Sequence, residues 1–193
     1  MHAGPDEATT MTTMFSRAAW FAVALVAATA GLGLWLGDLH GVTDPLRLRW
    51  GTVHRLSGVM AALVVVLVNS MAVTYFIGTG RWVREVVETY RLDAALVERS
   101  KRLKRSAFPL ALAGMLAVVG IVALGGAADP ATGRRGSADG VTAHLVGGLG
   151  LGAAIAWCVL AQLPVIRRQQ ALIGDVMDAV GRERAARGLD VGP

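Results

Sequence analysis

The sequence is poor in charge. Asp, Glu, Lys and Arg make up 17% of its 193 residues, beside 54% hydrophobic residues. A soluble globular domain carries about 25% charged residues. Large aromatic residues are also scarce, with 4 Phe and 2 Tyr against 24 Gly, although a water-soluble core relies on bulky side chains. These shortages argue against a soluble enzyme, and the apolar excess argues against a disordered chain. The single cysteine, Cys158, excludes an internal disulfide and a cysteine-based zinc cluster; it reads as a small buried apolar residue.

What is present is apolar length. Four stretches carry no Asp, Glu, Lys or Arg: 18–37, 56–80, 107–128 and 141–166. A hydrocarbon core about 30 Å thick needs roughly 20 helical residues, and each run is long enough. The runs do not alternate in polarity as barrel strands would. The expected fold is therefore all-α: an integral membrane four-helix bundle, one transmembrane domain over 14–193. Residues 1–13 read as a disordered leader, and Met11 or Met14 is an alternative start. Ala28-Thr29-Ala30 resembles a signal cleavage site, but the uncharged run continues past it, which favours a retained helix.

Basic residues set the orientation. Arg17, eight cations between the second and third runs, and five in the tail fall on one side, fourteen in all; five fall on the other. Both termini are expected to be cytoplasmic. The net charge of +5 is mostly this topology signal, and no nucleic-acid partner is expected. An Ala-, Gly-, Val- and Arg-rich composition suggests a GC-rich bacterium, hence the cytoplasmic (inner) membrane.

Two segments outside the runs are amphipathic. In 81–105, Val83, Val86, Val87 and Tyr90 recur at helical spacing, with Trp82 at the interface. Arg99, Lys101, Arg102, Lys104 and Arg105 follow, a cluster suited to anionic lipid head groups or to an acidic partner. In 167–187, Ile173, Val176, Met177 and Val180 form a stripe fit for an interfacial or partner-binding helix. Gly188 to Pro193 should fray.

Lipid gives no hydrophobic drive for helix association, so small residues must let backbones approach. Gly33 and Gly37, Ala113, Ala117 and Gly120, and Gly148, Gly152 and Ala156 are the expected contacts. Pro109 falls in the first turn of the third span and Pro164 near the end of the fourth. Asn69 with Ser70 reads as an interhelical hydrogen-bonding pair.

Chemistry-bearing groups are few. The spans hold no Asp, Glu, Lys or Arg, which disfavours an ion-coupled transporter or channel, and no nucleophile–histidine–acid set stands out. His54 opens the second span and His144 lies one turn into the fourth. Stepping from His54 at helical spacing gives Gly58, Ala61, Val65, Asn69, Ala72 and Phe76, a face expected to point inward. His144, Gly148, Gly152 and Ala156 do the same. Two inward histidines on neighbouring helices, with glycines making room, would suit a b-type haem, with Arg55 pairing a propionate. An outer metal site from His40 with Asp38 or Asp44 is a weaker alternative. The plainer reading is that both histidines sit at the head-group region and the glycines serve packing alone.

His54-Arg55-Leu56-Ser57-Gly58 resembles the His-Arg-x-Ser-Gly stretch of the cytochrome b anchor subunit of succinate dehydrogenases. That resemblance spans five residues and implies a redox setting, with the arginine near a quinone site. The chain departs from the family in two ways: the motif opens the second helix on the outer side, and Gly51 stands where the family has serine.

The sequence thus favours a small polytopic membrane protein, first as a non-catalytic accessory or scaffold subunit of a larger membrane complex. The alternative is a di-histidine haem or quinone-site protein of an electron-transfer chain.

Overall fold

A computed structural model describes residues 5–189. Four long helices account for nearly all of them: α1 (Pro5–Leu36), α2 (Pro45–Tyr90), α3 (Ala95–Ala128) and α4 (Val141–Ala186). Two short 3-10 turns, Pro130–Thr132 and Ser137–Gly140, link α3 to α4. All four helices are long and apolar enough to cross a membrane, with mean hydropathies of 1.9 to 2.4 over their most apolar windows.

The chain runs up, down, up, down, so the start of α1 and the end of α4 lie at one end of the bundle. α1 packs on α2 and α4, α3 packs on the same two, and α2 meets α4 through the middle. The two histidine-bearing helices therefore face each other across the bundle, flanked by α1 and α3, and are not simple neighbours in the ring. They run in the same direction.

The surface is more apolar than a soluble bundle tolerates. Phe21 is 59% exposed, Leu63 61%, Leu116 60% and Trp157 65%. Inside, Phe15, Ala19, Val65, Phe76, Ile155 and Val159 form the core. The inward ladder on α2 is as its spacing predicts: Ala61, Val65, Asn69, Ala72 and Phe76 are all buried.

Local chemistry fixes the helix ends. Asp44 caps α2 by accepting from the Leu46 N–H at 3.1 Å, with Pro45 at the first position. Arg91 ends α2 at φ 56°, a left-handed conformation, and Asp93 accepts from Ala95 N–H at 2.8 Å as α3 begins. Pro109 and Pro164 both lie inside helices.

Helix α1 begins at Pro5, so residues 5–13, expected as a disordered leader, are helical. Neither glycine nor proline follows Pro5 before Gly31, so nothing in the backbone stops the helix from extending back. The rest of that leader, and residues 190–193 of the expected frayed end, lie outside the described residues.

Helices α2 and α4 each have 46 residues, about 69 Å at 1.5 Å per residue. That exceeds the bilayer core twofold, and the excess projects at the end away from the histidines. There Val83 and Val87 of α2 pack with Leu172 and Val176 of α4, joined by Leu96 and Val97 of α3. The two amphipathic segments cover each other's apolar stripes in part: Val83, Val87, Val176 and Val180 are buried, while Met177 stays exposed. Arg99 ties α3 to Asp175 of α4, and Arg187 donates to the carbonyl of Tyr90 at 3.2 Å.

Candidate functional site

His54 and His144 lie 90 residues apart in sequence. Their ring centres stand 6.3 Å apart, with planes crossed at 69°. Both are partly buried near the end of the bundle where α2 and α4 begin.

Glycines of α1 and α3 lie against the two rings. A Cβ on Gly33 of α1 would sit 2.8 Å from His54 Cε1, and one on Gly125 of α3 would sit 3.2 Å from His144 Cε1. Gly58 and Gly148 lie four residues after each histidine. A Cβ on Gly58 would meet only the Thr29 methyl, at 3.8 Å, and one on Gly148 would meet nothing within 4 Å. The sequence marks Gly58 and Gly148 through their helical spacing. It gives no sign of Gly33 or Gly125 as partners of the imidazoles, because those contacts cross between helices.

The layout repeats. Gly33, His54 and Gly58 in the α1–α2 hairpin correspond to Gly125, His144 and Gly148 in the α3–α4 hairpin. Each imidazole leans on a glycine of its own hairpin's first helix and has a glycine one turn below. The correspondence fails at one atom. The Nδ1–H of His54 donates to the carbonyl of Thr29 at 3.2 Å, whereas His144 Nδ1 is buried without a partner. A buried polar atom left unpaired costs about 1–3 kcal/mol.

Arg55 lies beside His54 and is already engaged. It reaches Asp129, just beyond α3, at 3.2 Å and the Thr52 hydroxyl at 3.0 Å. Asp129 also accepts from Ala131 N–H at 2.9 Å, so this carboxylate joins α2 to the loop after α3.

Above the pair, the two loops are latched. The Ser137 hydroxyl donates to His40 Nε2 at 2.8 Å, and His40 Nδ1–H donates to Asp38 Oδ1 at 2.6 Å. This is the order of a nucleophile–base–acid relay, which sequence reading missed because residues 40 and 137 are remote. Ser137 is 6% exposed, so its hydroxyl is covered by the loops it joins, and we read the chain as a latch. The His40 backbone N–H, then its ring, hold the Asp38 carboxyl below the usual range. Asp44, expected as an alternative partner of His40, caps α2 instead. Among the described residues no three His, Cys, Asp or Glu side chains gather to hold a metal ion.

A second buried polar layer lies deeper. Gln162 of α4 donates to Asn69 Oδ1 at 2.9 Å and to the Cys158 carbonyl at 3.1 Å, while Asn69 donates to the Val65 carbonyl at 2.8 Å. Asn69 thus makes its interhelical bond with Gln162; Ser70 is exposed and takes no part. Gly114 of α3 admits the amide, since a Cβ there would lie 3.0 Å from Asn69 Nδ2. Further on, Gln169 donates to Thr79 and Ser100, each at 3.1 Å, and the Tyr75 hydroxyl donates to Gln170 at 2.9 Å.

A groove of about 510 Å³ opens between α3 and α4 at the far end. Its charges balance: Arg99, Arg102 and Arg182 face Asp93, Asp175 and Asp178, and Arg99 is already paired with Asp175. It offers no excess charge to select a ligand.

Compared with protein-family models, curated proteins and solved structures, the chain matches none.

Can the histidine pair hold a haem? An imidazole bonds a transition metal at about 2.0–2.1 Å. Two such bonds, each extended by the roughly 1 Å from nitrogen to ring centre, place the ring centres about 6 Å apart. The 6.3 Å observed here matches. Direct hydrogen bonding between the rings would bring the centres closer, and none is made. With one Nδ1 anchored to a carbonyl, the Nε2 of His54 is the free ligating atom. The donor set and the spacing of the ring centres are those that two imidazoles on one metal would need.

Proposed function

We propose that this chain is a multi-pass bacterial inner-membrane protein that carries one b-type haem between His54 and His144 and relays electrons. The observation that supports this reading best is the 6.3 Å spacing of two imidazoles from facing helices, with a glycine of α1 against one ring and a glycine of α3 against the other.

A haem held there supplies a one-electron couple. The protein's own residues do the rest. The Thr29 carbonyl fixes the orientation of the His54 ring and keeps the proton on Nδ1. Gly33 and Gly125 let the rings lie against α1 and α3. The apolar spans keep water away from the pair, and Arg55 with Asp129 places a cation at its outer rim. The positive-inside count puts the pair near the outer leaflet and both termini in the cytoplasm.

The experiment is a reduced-minus-oxidised visible spectrum of the purified full chain. The expected result is a b-type Soret and α-band change whose low-spin character vanishes in His54→Ala and in His144→Ala. A flat spectrum from inserted, helical protein refutes the proposal.

A second reading rests on a different region. The helical extensions of α2, α3 and α4 form a packed body outside the spans, with Lys101, Arg102 and Arg105 exposed. These features suit an accessory subunit that docks on anionic lipid or on another subunit of a membrane complex. The two readings are compatible, since a haem subunit also needs redox partners.

A further inference from the structure

The seam between α3 and α4 changes character along its length. The Arg99–Asp175 ion pair fixes the register of these two antiparallel helices. On the side away from the histidines the seam is the groove whose charges balance. Toward the spans the acids stop: α3 has no Asp or Glu after Glu98, and α4 has none before Asp175. The cations continue. Seven residues make about two helical turns, so Arg168 lies on the same edge of α4 as Asp175. Ser106 likewise shares its edge of α3 with Arg99, and Arg102 and Arg105 fall within those two turns. Arg102, Arg105 and Arg168 are exposed, and among the described residues none of them has a hydrogen-bonding or ion-pair partner. Glu98 is the acid that feels Arg105 and Arg102, and Lys101 already holds it at 2.7 Å. Ser106 is small and turns its hydroxyl back to the Leu103 carbonyl at 2.8 Å, so it does not fill the seam. Neighbouring cations are engaged: Lys104 stands 5.4 Å over the Phe108 ring, and Arg81 pairs with Glu85 at 2.7 Å.

We propose that Arg102, Arg105 and Arg168 hold the phosphate of an anionic phospholipid at the α3–α4 seam. The inference commits the second reading above to lipid and is independent of the haem. Position supports it: Arg105 stands just before the uncharged run 107–128, and Arg168 just after the run 141–166. That junction is where head groups meet a span. Guanidinium groups bind phosphate oxygens through paired N–H donors. The face continues into the span through exposed Leu112, Leu116 and Trp157, on which acyl chains can lie. A zwitterionic lipid brings its own cation to this cluster, whereas an anionic one neutralises it, so net charge does the selecting.

The test titrates the full-length chain in detergent with dioleoyl phosphatidylglycerol or dioleoyl phosphatidylcholine and counts bound lipid by native mass spectrometry. The expected result is one phosphatidylglycerol held in preference to phosphatidylcholine. Arg105→Gln combined with Arg168→Gln should weaken it about thirtyfold, the loss of two cations worth about 1 kcal/mol each. Arg17→Gln combined with Arg84→Gln removes the same charge from exposed positions on α1 and α2 and should leave the binding intact. Circular dichroism should give wild-type helicity for both. A wild type without preference, or equal losses in the two double variants, overturns the inference and leaves the extensions to dock on another subunit. Displacement of the lipid by equimolar inorganic phosphate overturns it in favour of a soluble anion. Rapid tryptic cleavage throughout 167–187 in the lipid-bound wild type would show extensions that are not packed; the second reading then falls, and this inference with it.

Discussion

Two polar layers cross the interior of this bundle, and they are built on opposite rules. In the deeper layer, Gln162 bonds Asn69 across α2 and α4 and also its own helix, and Gln169 bonds Thr79 and Ser100. The donors there are spent on partners from other helices and on carbonyls of their own, while Gln162 Oε1 and Gln169 Oε1 stay unpaired; amides that bond across helices glue them in lipid. In the outer layer, two imidazoles come within 6.3 Å without a hydrogen bond between them, and Gly33 and Gly125 lie against them. The deeper layer is joined by side-chain hydrogen bonds between helices; the outer one is joined by a ring contact alone.

The sharpest way to break this contrast is to crowd one of the rings. Gly33→Val should abolish haem uptake, because even its Cβ would stand 2.8 Å from the His54 ring. Helicity by circular dichroism should survive, since α1 keeps its other contacts. Retained haem in a folded Gly33→Val protein would mean the glycine is there for packing alone.

A smaller effect is expected in the deeper layer. Asn69→Leu and Gln162→Leu should each destabilise the bundle by about 0.6–2 kcal/mol, the range for interhelical hydrogen bonds in membranes. The double variant should cost less than the sum, because the shared bond is lost only once. Neither should alter the haem spectrum. Unfolding in detergent and the visible spectrum, measured on the same samples, decide whether the two layers are as separate as described.

Weaker still is the ion pair at the end of the bundle away from the histidines. Arg99 and Asp175 are 45% and 50% exposed, so Arg99→Ala should cost less than about 1 kcal/mol. A larger loss would show that the extensions are held by charge and not by Val83, Val87, Leu172 and Val176.

The loop latch should show the smallest effect, and only in acid. Asp38 is held below its usual value, so its contribution is complete above the unfolded value of about 3.9 and is lost as pH falls through the lower folded value. Hydrogen exchange at residues 38–40 and 137–139 should therefore rise below about pH 4, and Asp38→Asn should remove that step. Exchange that rises equally in both proteins would assign the acid response elsewhere.

The sequence carries the coarse architecture well, because hydropathy and helical spacing are local. The inward face of α2, from Gly58 through Phe76, follows directly from the period of a helix. The histidines stand out for a related reason: little else in or beside the spans is polar. What the sequence hides is anything that depends on which helix meets which. Gly33 and Gly125 read as generic small residues until their partners are known. Gln162 reads as an isolated polar residue until Asn69 is opposite. The stripes of 81–105 and 167–187 look like lipid- or partner-binding faces, yet Val83, Val87 and Val176 pack on one another, because α2, α3 and α4 extend together past the length of a span. The latch joins positions 97 residues apart, and no spacing rule could pair them.

The central claim is that His54 and His144 hold one haem between crossed imidazole planes. Ferric electron paramagnetic resonance of the haem-titrated chain tests it most directly. The account predicts uptake saturating at one haem per chain, with the large-g low-spin signal of strongly crossed axial rings, as the 69° angle requires. A high-spin signal, a rhombic signal of parallel rings, or no stoichiometric uptake would contradict it.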